Sequence, residues 1–411
     1  MKIHKLKTKT NSKTNSKTNS KSKFKSSIKH YEPIYTIIEP YDKSKRILDF
    51  TLLRKMLRNY GLKECKQDEC MKRKVLFVWL NYDENSLHSL KRKYYNTSIY
   101  LQNSLTNMES ISNKDKLHLD MKTYFPKIYN KHIANSFLLK SNWKYPTSND
   151  IFIARPINIL AEKRERGVQG IGYGGKDIVV IHNQQTLEQA QTLLYKYDNV
   201  LLSEYITNPL LFRGHKFHIR TYLLASIINE SFNSYMIDFG RIFTAKLPYK
   251  HADWNNSDIH DTHMKSTPTD WFFPKDFTNN NIYHSLDHSD GHANITSRTI
   301  QNIFEQIKTI LSAVSKLLSK TVSLYDNVKN GFNIFGIDLM IKDDFTVVLI
   351  ECNAEGTYKS KEPTTHTIIE NIMFNWVNDV ILKPCLRELQ VNTNTKNYKK
   401  HKKHKTMKKT M

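Results

Sequence analysis

Glycine is scarce, at 12 of 411 residues, and five of those glycines fall in the single stretch 164–176. Strained turns spread along the whole chain are therefore excluded, and one loop stands apart. That loop lacks the Ser or Thr that completes the GxxxxGK[ST] phosphate loop. Cysteine is scarcer still: Cys65, Cys70, Cys352 and Cys385 form no CxxC pair and no dense even framework. Neither a zinc ribbon nor a secreted disulfide scaffold is supported, and a reducing, cytoplasmic setting is the expectation. No apolar run approaches the roughly twenty residues that span a bilayer, so no transmembrane segment is expected.

Acidic residues are missing from both ends. Residues 1–30 hold ten lysines and no acid, and residues 396–411 hold eight lysines and no acid. These tails supply +18 of the net +24 and leave the body at +6, so the basicity is not that of a folded nucleic-acid groove. The Lys-Thr-Asn-Ser repeat from Lys9 to Lys21 has no apolar side chains to offset the entropy of ordering. Residues 1–30 and 389–411 are expected to be disordered basic tails. They would be solvated, or would make nonspecific contacts with acidic protein tails, membrane or nucleic acid.

Between the tails the pattern is α/β. Leu76–Leu80 reads as a buried strand and 114–122 as a helix, which points to a small N-terminal unit over 31–145. Asp150–Ala154 reads as a strand before the Gly-rich loop, followed by a strand at Ile178–Ile181 and a helix at Thr186–Tyr197. Strands follow at 200–206, 215–228 and 234–243, then a polar stretch from 250 to 296 that reads as a loop or lid. Ser297 is expected to cap an amphipathic helix whose Ile300, Ile303, Ile307, Leu311, Val314 and Leu318 share one face. Strands at 332–341 and 346–352 and a helix at 366–382 close the body.

Two constellations carry chemistry. In the first, strands 332–341 and 346–352 meet through a turn at Asp343 and Asp344. An even loop places Asp338 opposite Leu349 and diagonal to Glu351 on one face. Asn353 joins Glu351 there by alternation, while Ile350 and Cys352 point away. Two carboxylates and an amide suit Mg²⁺, which binds few protein oxygens besides substrate phosphates. The alternative is a polar, solvated sheet face, but acids flanked by Phe335, Ile337, Leu339 and Ile350 are costly to bury unpaired. In the second, period two puts Lys216, His218 and Arg220 on one face, where a mobile ammonium and a planar guanidinium suit polyphosphate. A strand with its charges turned to solvent is the other reading.

The ordered motifs resemble the tubulin-tyrosine ligase-like family. They are Ile153–Pro156 with the Gly-rich loop, Leu202–Ile206, Lys216–Arg220, Gly240-Arg241, and Gly336–Asp338 with Glu351–Ala354. The likeness covers about residues 75–385. It implies an ATP-grasp fold, with a central subdomain over 146–200 and a C-terminal subdomain over 201–388 carrying the metal site.

The resemblance implies that the backbone at Glu204, Tyr205 and Ile206 holds adenine. It implies nucleotide contacts from Arg155, Lys216, His218, Arg220 and Arg241, and Mg²⁺ on Asp338, Glu351 and Asn353. Arg220, Arg241, Glu351 and Lys114 would act on the transferring phosphoryl group. The activity implied is ATP-dependent joining of free tyrosine, glutamate or glycine to a carboxylate on tubulin, or on another protein with an acidic tail, through an acyl phosphate. Arg155 and His218 stand where the family has lysine and aspartate, which opens the reading of a nucleotide-binding pseudo-ligase. A basic protein whose tails bind nucleic acid or membrane is the third reading.

Overall fold

The computed structural model describes residues 2–6, 31–38, 50–70, 73–80, 98–146, 150–159, 177–251, 253–254, 256–262, 271–275, 286–288, 291–292, 295–354 and 363–386. The strands of the first part of the chain are β1 (Ile3–Leu6), β2 (Glu32–Ile38), β3 (Lys63–Glu64), β4 (Lys74–Leu80) and β5 (Ser98–Gln102). Then come β6 (Ser136–Leu138), β7 (Phe152–Ile159), β8 (Val179–Ile181) and β9 (Tyr197–Glu204). The last part holds β10 (Leu211–Phe212), β11 (His215–Ile228), β12 (Ser231–Thr244), β13 (Trp271–Phe273), β14 (Leu286–His288), β15 (Gly291–His292), β16 (Val328–Ile341) and β17 (Val347–Asn353).

β6 to β9 form a four-stranded sheet in the order β6-β9-β7-β8. The other described strands pair into one large sheet along β15-β14-β10-β11-β16-β5-β4-β2-β3, with β12 beside β11 and β17 beside β16. β5 runs parallel to β16, so strands from 31–145 and from 201–388 share that sheet.

Alternation along β11 and β16 gives the large sheet two different faces. On one, Phe217, Ile219, Leu223, Phe335, Ile337 and Leu339 pack against the helix Ser297–Thr321 through Ile303, Ile307 and Leu311. The cap of this helix is Thr296 rather than Ser297: its hydroxyl accepts from Thr299 N–H at 3.1 Å. On the other face, Tyr222, Leu224, Phe332 and Ile334 pack under the helix Pro363–Val377, with Trp376 fully buried. Further along the same face these apolar residues give way to Arg220, His218 and Lys216 on β11 and Asp338 on β16. The site therefore begins where the second core ends.

Four expectations are corrected. Residues 3–6, within the tail expected to lack structure, form β1 antiparallel to the edge of β12, pairing Ile3 with Ile237 and Leu6 with Ser234. Leu6 is 3% exposed, so burial and an open strand edge supply the ordering that local sequence lacks. Residues 7–30 and 387–411 lie outside the described residues. Within 250–296 the chain makes a short helix, Ser257–His260, and the strands β13, β14 and β15 instead of one uninterrupted loop. Cys65 and Cys70 are joined in one local disulfide across five residues, while Cys352 and Cys385 are buried free thiols. Finally, Ile350 turns toward the site rather than away from it, at a register shift between β16 and β17.

Candidate active site

A row of charged side chains crosses four strands. β11 pairs Arg220 with Arg241 of β12 on one side and with Asp338 of β16 on the other, and Asp338 pairs with Glu351 of β17. Directly opposed residues share a face, so all four project together. The last pairing depends on a β-bulge. Asp338 faces Glu351 while Leu339 faces Leu349, which leaves Ile350 as the extra residue. Continued in the Leu339–Leu349 register, the ladder would set Glu351 against Ile337 on the opposite face. The bulge instead turns both Ile350 and Glu351 to the site, where Ile350 packs with Ile206, Met340 and Val348. Cys352 stays on the far side within the first core.

The row is buried, which removes the solvated-face readings: Asp338 is 1% exposed, Arg241 1%, Lys216 4%, His218 3% and Arg220 8%. Arg220 binds Asp338 through two bonds, Nε to Oδ1 at 2.7 Å and a terminal nitrogen to Oδ2 at 2.5 Å. Burial pulls the Arg220 pKa down, but the charge and hydrogen bonds of Asp338 outweigh it and lift the value above its ordinary one. Lys114, the first residue of the helix Lys114–Tyr124, places Nζ 3.0 Å from Glu351 Oε2. Asn353 Nδ2 lies 3.0 Å from Glu351 Oε1 and 3.4 Å from Asp338 Oδ2, so both carboxylates converge on one point. A Cβ on Gly240, beside Arg241, would come within 2.7 Å of Ile219 Cγ2, so glycine is what allows β12 to lie this close.

His218 stacks on Phe243 at 4.9 Å between ring centroids, and its Nδ1 lies 2.6 Å from Thr262 Oγ1. Its Nε2 is 3.9 Å from Asp338 Oδ1. Arg241 also lies over Phe243, 4.6 Å from the centroid. Lys216 Nζ meets the Tyr205 hydroxyl at 2.6 Å and lies 4.0 Å from the centroid of the same ring. Burial pulls its pKa down to about 7.

Arg155 projects from β7 of the small sheet and is 8% exposed. Its terminal nitrogens donate to the Ile350 carbonyl at 3.1 Å and the Ser203 hydroxyl at 2.9 Å. The guanidinium thus ties the small sheet to the bulge. Burial lowers its pKa, and the charge of Glu351 works the other way.

Glu204, Tyr205 and Ile206 carry the chain from the small sheet to the large one. Their path is fixed by Glu204 N–H to Asn135 O at 2.9 Å and Tyr205 N–H to Ile151 O at 2.8 Å. They line a cleft of about 540 Å³ together with Asn135, Lys342 and Val348. The charged row is not part of that cleft's lining.

The model of the tubulin-tyrosine ligase family matches residues 91–388. The chain belongs to the tubulin-tyrosine ligase family. A probable tubulin–tyrosine ligase of Schizosaccharomyces pombe is 25% identical over 226 residues, which cover 54% of this chain and 50% of that protein. The chain thus spans about half the length of this curated relative. Among solved structures, the C-terminal domain of K. lactis Pby1, an ATP-grasp enzyme interacting with the mRNA decapping enzyme Dcp2, aligns over 86% of this chain and 94% of that one. Its TM-score is 0.54 and its identity 18%. That likeness shows the fold: two sheets bridged by residues 204–206 are the ATP-grasp architecture in this family member.

In this tubulin-tyrosine ligase family chain, the structure brings together Lys114, Arg155, Lys216, His218, Arg220, Arg241, Asp338, Glu351 and Asn353, all named from sequence. The Glu204 side chain stands apart on the exposed side, where Oε1 takes a bond from Asn135 Nδ2 at 3.2 Å. The Gly-rich loop at 164–176 lies outside the described residues. Sequence reasoning missed the apolar patch of Ile206, Met340 and Val348, although period two from Asp338 reaches Met340. His260 and Thr262 fall in the stretch read from sequence as a loop or lid, and no periodicity marks either as part of the site.

The donor types fit a divalent cation, with Asp338 now held by Arg220 and Glu351 by Lys114. Among the described residues no three His, Cys, Asp or Glu side chains cluster, so the donors are two carboxylates and one amide. That set suits Mg²⁺, and the convergence point now taken by the Asn353 amide lies between both carboxylates.

Proposed function

We propose that the chain is an ATP-dependent ligase that joins the amine of an amino acid to a protein carboxylate. The observation that carries this reading is the row of Arg241, Arg220 and Asp338, all buried, with the half-buried Glu351, flanked by Lys216 whose buried ammonium meets only the neutral hydroxyl and ring of Tyr205 among the described residues. Burying a cation without an anion is unfavourable, so such a position favours an anionic ligand. In this reading Ile206, Met340, Val348 and Ile350 hold the adenine ring against residues 204–206. Lys216, Arg220 and Arg241 face the phosphates.

When bound, ATP would supply the phosphoryl group that activates the substrate carboxylate as an acyl phosphate, with ADP leaving, and Asp338, Glu351 and Asn353 would hold Mg²⁺ to offset phosphate charge. The chain's own task is electrostatic. Arg220 and Arg241 are held in place before the reaction, so no reorganisation is needed as charge develops. Lys114 is paired with Glu351 at 3.0 Å, and a cation held by that carboxylate would leave its ammonium available to a phosphate. The amine of the amino acid attacks the acyl carbon, loses a proton and displaces phosphate, which gives the amide bond on the protein carboxylate.

The acceptor proposed first is an acidic protein tail such as that of tubulin, which the curated relative's name supports and which the basic ends of this chain would attract. Incorporation of labelled tyrosine, glutamate and glycine into tubulin and into acidic peptides, with ATP and Mg²⁺, tests this. One donor incorporated by the wild type and not by Glu351→Gln supports the ligase. No incorporation of any donor despite ATP binding removes it. Arg155 favours a second reading: its guanidinium is spent on Ile350 and Ser203, in keeping with a nucleotide-binding protein without turnover.

A further inference from the structure

The cationic face of β11 is answered, at the same spacing, by the segment that follows β12. Lys216 and His218 are two residues apart, and so are His260 and Thr262, which reach them. Thr262 bonds His218 directly, at 2.6 Å. His260 reaches Lys216 through Tyr205: His260 Nδ1 lies 2.6 Å from the Tyr205 hydroxyl, which lies 2.6 Å from Lys216 Nζ.

The direction of each bond in this chain is fixed by what the end groups are able to do. In its charged form, the form that meets a phosphate, Lys216 only donates, so the Tyr205 oxygen accepts from it. A carbonyl only accepts, and the Asp253 carbonyl lies 2.8 Å from His260 Nε2, so Nε2 carries the ring proton. Nδ1 is left as the acceptor, and the Tyr205 hydroxyl donates to it. Burial lowers the His260 pKa and raises that of Tyr205, which keeps both in the neutral forms this arrangement needs. Trp254 stacks on His260 at 5.5 Å and 19° and meets Tyr205 edge-on at 5.3 Å, holding both rings.

We infer that His260, acting through the Tyr205 hydroxyl, is a positioning residue for Lys216, so that the segment Asp253–Thr262 sets where this ammonium stands in the nucleotide site. The inference rests on the reading of Lys216 as a phosphate contact. Without the acceptor at position 260 the hydroxyl rotates and its lone pair leaves the ammonium, so Lys216 keeps only the face of the Tyr205 ring, whose centroid lies 4.0 Å from Nζ. Thr262 holds the segment down at its second point, so the loss of either bond loosens the other.

The test uses the full chain and two readouts. The first is ATP affinity by calorimetry in Tyr205→Phe, His260→Leu, His260→Asn and the Tyr205→Phe/His260→Leu double variant. Tyr205→Phe and His260→Leu are each expected to weaken binding by about tenfold, the effect of one charge-assisted hydrogen bond. The double variant is expected to be no weaker than Tyr205→Phe alone, because both break one chain. His260→Asn, whose side-chain oxygen accepts the tyrosine proton, is expected to recover most of the loss. Affinity unchanged in His260→Leu, or losses that add in full, would overturn the inference.

The second readout is the rate at which the Lys216 amine reacts with an acylating reagent in the nucleotide-free chain, followed by mass spectrometry. It is expected to change by the same factor in Tyr205→Phe and His260→Leu and to return toward wild type in His260→Asn. If the wild type binds no ATP, the nucleotide reading fails, and this arm still decides: equal labelling in all variants overturns the role of His260.

Discussion

Arg220 holds Asp338 by two hydrogen bonds of 2.7 and 2.5 Å in a site where Asp338 is 1% exposed. The pair sits mid-row, with Arg241 beyond Arg220 and Glu351 beyond Asp338. Two cations and two anions thus stand in blocks across the sheet: Arg220 and Asp338 offset each other at the junction, and Glu351 is paired with Lys114 from outside the row.

Asp338→Asn tests that balance. It leaves Arg220 charged and buried with a neutral partner, and breaking a buried pair from one side costs about 3–5 kcal/mol. The double variant with Arg220→Met removes both charges and is expected to be more stable than Asp338→Asn alone. Urea denaturation of the three chains checks this; a double variant no more stable than the single would show that the two groups are not coupled.

Arg155→Lys is expected to destabilise the chain by about 1–2 kcal/mol, because one ammonium does not span both the Ile350 carbonyl and the Ser203 hydroxyl. Ser203→Ala removes only one of those bonds and is expected to cost less. If thermal melts rank the two variants the other way, the tie from the small sheet to the bulge is not what holds Arg155.

Period two in Lys216–Arg220 and around Asp338 made the site legible in sequence, because a strand's faces follow from alternation alone. What alternation does not carry is the bulge. Ile350 has no glycine or polar signature of an inserted residue, and one residue of slip decides the face on which Glu351 stands. β1 was illegible for a different reason: its ordering comes from the open edge of β12, more than two hundred residues away in sequence. His260 was hidden in a polar stretch whose structure depends on the surface it covers.

β1 makes its own prediction. Leu6 is buried against the first core, and truncating a buried leucine costs about 2–5 kcal/mol. Leu6→Ala is therefore expected to lower stability, near the small end of that range because β1 lies at a sheet edge. A Leu6→Ala melt that overlays the wild type would remove β1 from the fold.

Lys216 gives a pH dependence whose sign follows from its burial. Its pKa is pulled down to about 7 from an ordinary value of 10.5. Between those values the unfolded chain holds a proton that the folded chain has released, so this group makes the fold more stable as pH rises across that window. Ligand binding runs the other way. A polyphosphate beside Lys216 favours the charged form and lifts its pKa, so binding above pH 7 takes up a proton, and affinity weakens as pH rises. The groups facing the ammonium are the Tyr205 hydroxyl and, behind it, His260; both are neutral in this range and do not reverse the sign. Calorimetry at about pH 8 in two buffers of different ionisation enthalpy measures the uptake. The buffer dependence is expected in the wild type and lost in Lys216→Met. Heats that do not depend on the buffer in the wild type would mean that Lys216 is already charged before the ligand arrives, and that its burial is relieved by some other means.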